Sequence, residues 1–305
     1  MNSLRYGLAA AALGLIAVWA GENMFRVAPA PGLTASDLLI TWVAYSLCTA
    51  SALSAAFLTG VRGLRAAFLG GALMGWLAEG VIAGTLYQGF PFQIVWTGLA
   101  WHALIGGGVV FGLGRAAVHW RLSRQIAASV LLGLFGGLWA QFWPLERNDL
   151  PGSGVELLYL VLMGAMVPLA QILLDRLTPL RRPPVLVLAL APGALAALWV
   201  AQSMAAPSPL RLVLPALLGL TFWVMKRLGG GRVDRLDLGQ PAPRPWRHFV
   251  FLLAPLLIAG LASLGWAESG GHATNVAVAL SSSATATLAY LGLLWRAIRR
   301  KSARA

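Results

Sequence analysis

Residues 66–87, AAFLGGALMGWLAEGVIAGTLY, and residues 93–113, QIVWTGLAWHALIGGGVVFGL, are two long apolar runs joined by the tight turn Gln88-Gly-Phe-Pro-Phe92. Each exceeds the ~18 residues needed to cross a hydrocarbon core. In lipid a backbone must satisfy its own hydrogen bonds, so each run is read as a helix. The first run holds one carboxylate, Glu79, and the second holds one imidazole, His102. Both the fold class and the candidate site rest on this pair of runs.

Outward from it the same kind of run recurs at approximately 5–21, 38–59, 126–145, 156–175, 184–204, 209–226, 249–267 and 275–295. Together they predict an all-α, polytopic membrane helix bundle with about ten transmembrane helices, a single integral membrane domain over 1–305. Composition agrees. Of 305 residues, 58% are hydrophobic and 11% charged, with a mean hydropathy of +0.74. A water-soluble domain carries roughly a quarter charged residues. The first run is read as an uncleaved helix, because Trp19-Ala-Gly-Glu22 is a poor small-residue cleavage site. The single cysteine, Cys48, rules out an intramolecular disulfide.

The basic residues give this bundle a sidedness. With the N-terminus inside, the inner segments hold Arg5, Arg62, Arg65, Arg115, Arg121, Arg124, Arg176, Arg181 and Arg182. They also hold Lys226, Arg227, Arg232, Arg235, Arg244, Arg247, Arg296, Arg299, Arg300, Lys301 and Arg304. That is 20 of the 23 basic residues; Arg26, Arg147 and Arg211 fall outside. Acidic residues go the other way, with Glu22, Asp37, Glu146, Asp149, Glu156 and Glu268 in or beside outer segments. The positive-inside rule then predicts a bacterial-type inner-membrane protein with both termini cytoplasmic. The net charge of +13 is thus read as a topology signal with membrane lipids as its partner. The loop at 228–247 is too short for a nucleic-acid-binding domain, so no nucleic acid is expected.

A faint rhythm runs through the odd-numbered helices: Trp19-Ala-Gly-Glu22, Trp76-Leu-Ala-Glu79, Trp139-Ala-Gln141, Trp199-Val-Ala-Gln202 and Trp266-Ala-Glu268. The acid or amide recurs at intervals of 57, 62, 61 and 66 residues. Either five helical hairpins were multiplied, or tryptophan marks the membrane interface and a polar residue follows where each helix leaves lipid.

An ionisable residue inside a span costs ~2.5–3.5 kcal/mol on insertion scales and usually faces a cavity or a partner. Glu79 lies eight residues before Tyr87, and His102 nine after Gln93. At 1.5 Å rise per residue both sit roughly 12–14 Å below the outer helix ends, at matching depth on neighbouring antiparallel helices. Such a pair suits proton coupling, because burial raises a carboxylate's pKa and histidine as a class titrates near neutrality. It also suits general acid–base catalysis, or a hydrogen bond that only locks two helices together. No HExxH, no paired cysteines and no second buried histidine accompany it, so neither a metal nor a cofactor is expected.

Around the pair, Gly75, Gly80 and Gly84 line one side of the third helix, and Gly98, Gly106, Gly107 and Gly108 punctuate the fourth. Small residues permit close helix approach and also leave room for a ligand. Trp76, Trp101 and Trp96 flank the polar residues, with Thr41, Tyr45 and Cys48 at comparable depth in the second helix and Trp139, Gln141 and Trp143 placed to close the site from the fifth. Aromatic walls with a few converging polar groups describe a small-molecule pocket. The C-terminal half is expected to lack a deeply buried charge. Pro168, Pro192, Pro215 and Pro255 lie within its spans, and His119, His248 and His272 are expected in solvated loops or helix ends.

Ten helices in about 300 residues is similar to the plan of drug/metabolite transporters, two five-helix repeats that make the first and sixth helices alike. Tyr6–Glu22 and Glu156–Gln171 share no pattern, so no residue is carried across. Intramembrane CAAX-type proteases use a double glutamate with a following arginine, whereas Glu79 is followed by Gly80. The expected function is therefore a transporter or permease for a small molecule, its site in the outer half of the N-terminal helices. That site comprises Glu79, His102, Trp76, Trp101, Tyr45 and Gln141. No GxxxxGK[ST] is present, so nucleotide would have to come from another subunit. The alternatives are a membrane-embedded enzyme acting from the extracytoplasmic side on a lipid or lipid-linked substrate, with Glu79 and His102 catalytic, or a structural subunit of a membrane complex. A homo-oligomer or a membrane-complex partner remains open.

Overall fold

A computed structural model of the chain describes residues 1–26, 32–146 and 153–300. Arg147, Asp149, Lys301 and Arg304 lie outside the described residues, as does the side chain of Glu268. The helices are α1 (Asn2–Asn23), α2 (Ala35–Thr59), α3 (Gly63–Leu77, running on through Ala78–Ile82), α4 (Ile94–Ala117) and α5 (Leu122–Glu146). They continue with α6 (Gly154–Leu177), α7 (Val185–Ala205), α8 (Pro209–Leu228), α9 (Pro245–Trp266) and α10 (Asn275–Arg299). Among the described residues nine helices are long and apolar enough to cross a membrane. The helix outside this set is α3, whose apolar character is diluted by Arg65, Glu79 and its glycines.

Large apolar side chains face outward around the perimeter: Ile40 is 65% exposed, Leu186 73%, Leu264 66% and Leu288 71%. In water a contiguous surface of that kind is an aggregation liability. Against hydrocarbon it is the matching surface, and the chain is a multi-pass membrane helix bundle.

Local chemistry shapes the helix ends. α2 starts in a capping box: Thr34 Oγ1 accepts from the Asp37 N–H at 3.3 Å, and Asp37 Oδ2 accepts from the Thr34 N–H at 2.9 Å. It stops at Gly60, whose φ of 70° is open to glycine at little cost. α3 ends at Ile82, short of the apolar run's end at Tyr87, because Gly84 with φ 75° turns the chain into a separate helical turn, Thr85–Gln88. Pro168 and Pro192 lie inside helices. Pro215 and Pro255 stand in the first turn after short 3-10 segments, Pro209–Leu212 and Pro245–Leu252, where the change of helix type already relaxes the hydrogen-bond ladder.

Helices α1 to α4 pack in chain order, and α10 lies on the far flank of α4. α5, α6 and α9 form a second group joined to the first through α1 and α6, while α7 and α8 pad α2 and α3. The joins gather at two ends. At one, Arg5 Nη2 donates to Leu177 O at 2.6 Å, Arg247 Nη2 to Trp120 O at 2.6 Å, and Arg300 Nη1 to Leu228 O at 2.7 Å. The long α8–α9 loop is pinned at this arginine-rich end by a two-residue antiparallel ladder, β1 (Leu180–Arg181) with β2 (Arg235–Leu236), in the register Leu180↔Leu236. At the opposite end Asn23 Nδ2 donates to Tyr159 Oη at 2.8 Å, and Trp143 Nε1 to Phe25 O at 2.8 Å.

Candidate functional site

Two helices change their winding at the polar centre, and a third is π-wound through it. The Met24 N–H donates to Trp19 O and the Ala83 N–H to Ala78 O, both at 2.8 Å and both spanning five residues. Trp19–Asn23 and Ala78–Ile82 are therefore π turns, and α4 is π-wound from Ile94 to Leu113. Glu22, Glu79 and His102 each stand on one of these segments. A π turn shifts the direction of the side chains that follow, and such turns recur at functional sites.

The side chains then form a chain of contacts. His102 Nε2 lies 3.0 Å from Glu79 Oε1, with His102 4% exposed and Glu79 9%. Thr85 Oγ1 donates to the other carboxylate oxygen, Oε2. On the opposite side of His102, the Tyr45 ring stands edge-on with centroids 6.0 Å apart, and Tyr45 Oη donates to Glu22 Oε1 at 2.7 Å. Arg26 Nη2 reaches Glu22 Oε2 at 2.9 Å. A row of polar groups thus runs from Arg26 through Glu22, Tyr45, His102 and Glu79 to Thr85. Its members come from α1 and the residues just after it, α2, α3, α4 and the turn after α3.

Glycines set the spacing. A Cβ on Gly75 would sit 2.5 Å from His102 Cβ, and one on Gly21 would sit 3.0 Å from His102 Cε1. Gly71 and Gly107 face each other across the α3–α4 contact, and Gly98 seats the Trp76 indole. Other small residues leave space. A cavity of about 590 Å³ lies among α1, α2, α3 and α4, with Ala52, Ala67, Gly70, Gly71 and Gly106 in its wall and His102 at its deep end. It runs to the arginine-rich end, where its lining includes the exposed Arg62, His119, Asp237 and Gln240.

His102 is the expected site residue that lines this cavity. Glu79 and Tyr45 touch His102 from behind. Trp101 closes the end opposite the arginines, its Nε1 donating to Ala20 O at 2.9 Å and its ring 4.1 Å from Phe25 and 5.2 Å from Trp96. Trp139 stacks on Trp96 in the same aromatic group, at 5.5 Å and 24°. Trp76 is buried against Tyr290 of α10 at 5.7 Å. Gln141 serves elsewhere, donating to Leu261 O at 2.8 Å and tying α5 to α9.

The structure adds residues that the sequence reading passed over. Glu22 belongs to the row, and its Trp-x-x-Glu pattern, shared with Glu79, was the available signal. His248 is not solvated: it is 4% exposed, and its Nε2 lies 2.7 Å from Asp175 Oδ2. It is a second buried histidine. The C-terminal half also holds buried charge. Asp175 Oδ1 accepts from Arg115 Nη2 at 2.8 Å, and Arg115, 4% exposed, donates further to Gln171 Oε1 at 2.9 Å and Leu238 O at 2.7 Å. Glu156, expected near an outer segment, is fully buried, with Ser263 Oγ donating to it at 3.3 Å. These groups come from distant points of the chain, so no spacing announces them. Among the described residues, no group of three or more His, Cys, Asp or Glu is placed to hold a metal ion. No family model, curated protein or solved structure matches the chain.

Proposed function

We propose that the chain is a permease of a bacterial-type inner membrane, with ten spans and both termini cytoplasmic, that moves a small, largely apolar molecule through the α1–α4 cavity. The observation that carries this reading is a cavity that ends on a buried Glu–His pair. About 590 Å³ is within the range of small-molecule sites. Its walls are mostly apolar, and its deep end offers His102, bonded to a carboxylate that can exchange a proton with it. With the arginines inside, the cavity faces the cytoplasm. The Glu79–His102 contact, Tyr45 and the Trp101 aromatic group stand between it and the other side. That is the layout of one state of an alternating-access cycle, in which the two sides of a midplane site open in turn. The π turns under Glu22, Glu79 and His102 are the natural places for such a change, since they return to α-winding by giving up one residue per turn.

Glu79 is the coupling carboxylate in this scheme and His102 the group that touches the substrate. Tyr45 holds the imidazole edge, while Trp76 and Trp101 pack behind the pair rather than against substrate. Enzymatic action from the extracytoplasmic side has less support, because the cavity beside the pair runs to the arginine-rich end. The test is reconstitution into vesicles carrying a pH-sensitive dye, challenged with a panel of apolar and amphipathic metabolites. Wild-type protein is expected to couple uptake or efflux of some of them to proton movement. Glu79→Gln keeps the shape of the side chain and is expected to abolish the coupling while the protein remains folded. Transport of no compound by the wild type, or an unchanged pH dependence in Glu79→Gln, would refute the proposal.

A further inference from the structure

A second cavity, of about 450 Å³, lies among α4, α5, α6, α9 and α10. Most of its wall is apolar, including Leu104, Val109, Leu132, Phe135 and Val167, but two amides face it from the arginine-rich end. Gln125 is 4% exposed and Gln171 2%. Their existing bonds fix which way each amide points. Gln125 Nε2 donates to Arg247 O at 2.7 Å, so its Oε1 is the atom left over. Gln171 Oε1 accepts from Arg115 Nη1 at 2.9 Å, so its Nε2 is left over. Neither remaining atom has a hydrogen-bond partner among the described residues. A buried polar group without a partner is costly, and two of them at one end of an apolar cavity define a ligand's polar end.

The requirements on that ligand follow. Its head must donate to Gln125 Oε1 and accept from Gln171 Nε2, which a hydroxyl-bearing head does. It must be uncharged: among the described residues no Asp, Glu, Lys or Arg lines the cavity, and His248 there is already engaged by Asp175. Ser281, Ser282 and Thr285 donate back into their own helix, which leaves Ser129 as the remaining hydroxyl of an otherwise apolar wall. The exposed residues of the lining are Leu131 on α5 and Ser281 and Thr285 on α10, which places the opening on the bundle's flank between those two helices. Gln125 stands in the first turn of α5 beside Arg121 and Arg124, the depth at which a lipid's glycerol region meets a basic helix end.

We propose that this cavity binds a single-chain lipid with an uncharged glycerol head, a monoacylglycerol-type molecule. The lipid enters sideways from the bilayer between α5 and α10, with its chain along Leu132 and Phe135 and its hydroxyls on Gln125 and Gln171. The test uses a monoacylglycerol carrying a photoactivatable diazirine in its chain, added to the purified full-length protein in nanodiscs and followed by peptide mass spectrometry. Crosslinks are expected on the cavity-lining segments of α4, α5 and α10. Unlabelled monoacylglycerol should compete for them, and the matching fatty acid, whose head is charged, should not.

Gln171→Glu keeps the acceptor for Arg115 and turns the free donor into an acceptor, so labelling should fall about ten-fold or more. Leu132→Trp, which fills the cavity, should abolish it; an unchanged thermal transition in either variant separates loss of the site from loss of the fold. Glu79→Gln should label like wild type. Crosslinks scattered over the apolar perimeter, full labelling in both cavity variants, equal competition by the fatty acid, or occupancy by water alone would overturn the proposal.

Discussion

Replacing Gly75 by alanine puts the α3–α4 contact to a quantitative test. The new Cβ would lie 2.5 Å from His102 Cβ, 3.0 Å from His102 Cγ and 3.1 Å from Gly98 O. Carbon atoms rest comfortably about 3.5–4.0 Å apart, so the two helices must part by about 1 Å or His102 must leave its place beside Glu79. His102 Cβ is fixed to the backbone and cannot swing away as the tip of a long side chain would. Overpacking of this kind costs about 1–3 kcal/mol, offset in part by the ~1 kcal/mol that alanine gains over glycine inside a helix.

Gly70 on the same helix supplies the control. A Cβ there meets Ala52 Cβ at 3.7 Å, an ordinary contact, so Gly70→Ala collects the helix gain without the clash. The stability difference between the two alanine variants therefore isolates the overpacking cost of about 1–3 kcal/mol. At about 2–4 °C per kcal/mol for chains of a few hundred residues, their transitions should differ by at least ~2 °C, with Gly75→Ala lower. The chain supplies its own reporter: Cys48 is the single cysteine and is buried, so a thiol-reactive fluorogenic dye reads unfolding directly. Coincident transitions would refute the close approach, and with it the glycine-set geometry of the site.

Two further expectations follow from the same structure. Asp175→Ala leaves Arg115, 4% exposed, and His248 without their shared carboxylate, and should destabilise the protein by about 3–5 kcal/mol; a loss below ~1 kcal/mol in the thiol-dye assay would show that the network carries little. In a Cys48→Ala background, cysteine at exposed His119 should react with an impermeant maleimide from the cytoplasmic face alone, and cysteine at exposed Gln88 from the opposite face alone; the reverse pattern would invert the arginine-based topology.

Legibility differed between levels of structure for a physical reason. An apolar run of helix-spanning length has one low-energy conformation in hydrocarbon, so the all-α membrane class could be read from local composition. Arginine placement supplied an expected sidedness in the same way, because each charge responds to its own loop. Matching depth put Glu79 beside His102 as a reading of helix rise and turn length, and the two are 3.0 Å apart. Beyond that pair the chain's order says little.

Which way a helix faces, and what it meets, depends on packing among all the others. The hydropathy of α1 says nothing of Glu22 reaching Tyr45, and that of α4 says nothing of Arg115 reaching Asp175 sixty residues on. His248 reads as a loop histidine until the fold brings α6 against it. The glycines of α3 and α4 had two possible meanings, close approach or room for a ligand. The tertiary structure uses both, seating Gly75 on His102 and leaving Gly70 and Gly106 in the cavity wall. The sequence by itself determined the class of the bundle and the depth of one polar pair, because those depend on local transfer energies. The cavity's course to the arginine-rich end, the second cavity and the buried Arg–Asp–His network were decided by the tertiary structure alone, because each is assembled from helices that only packing brings together.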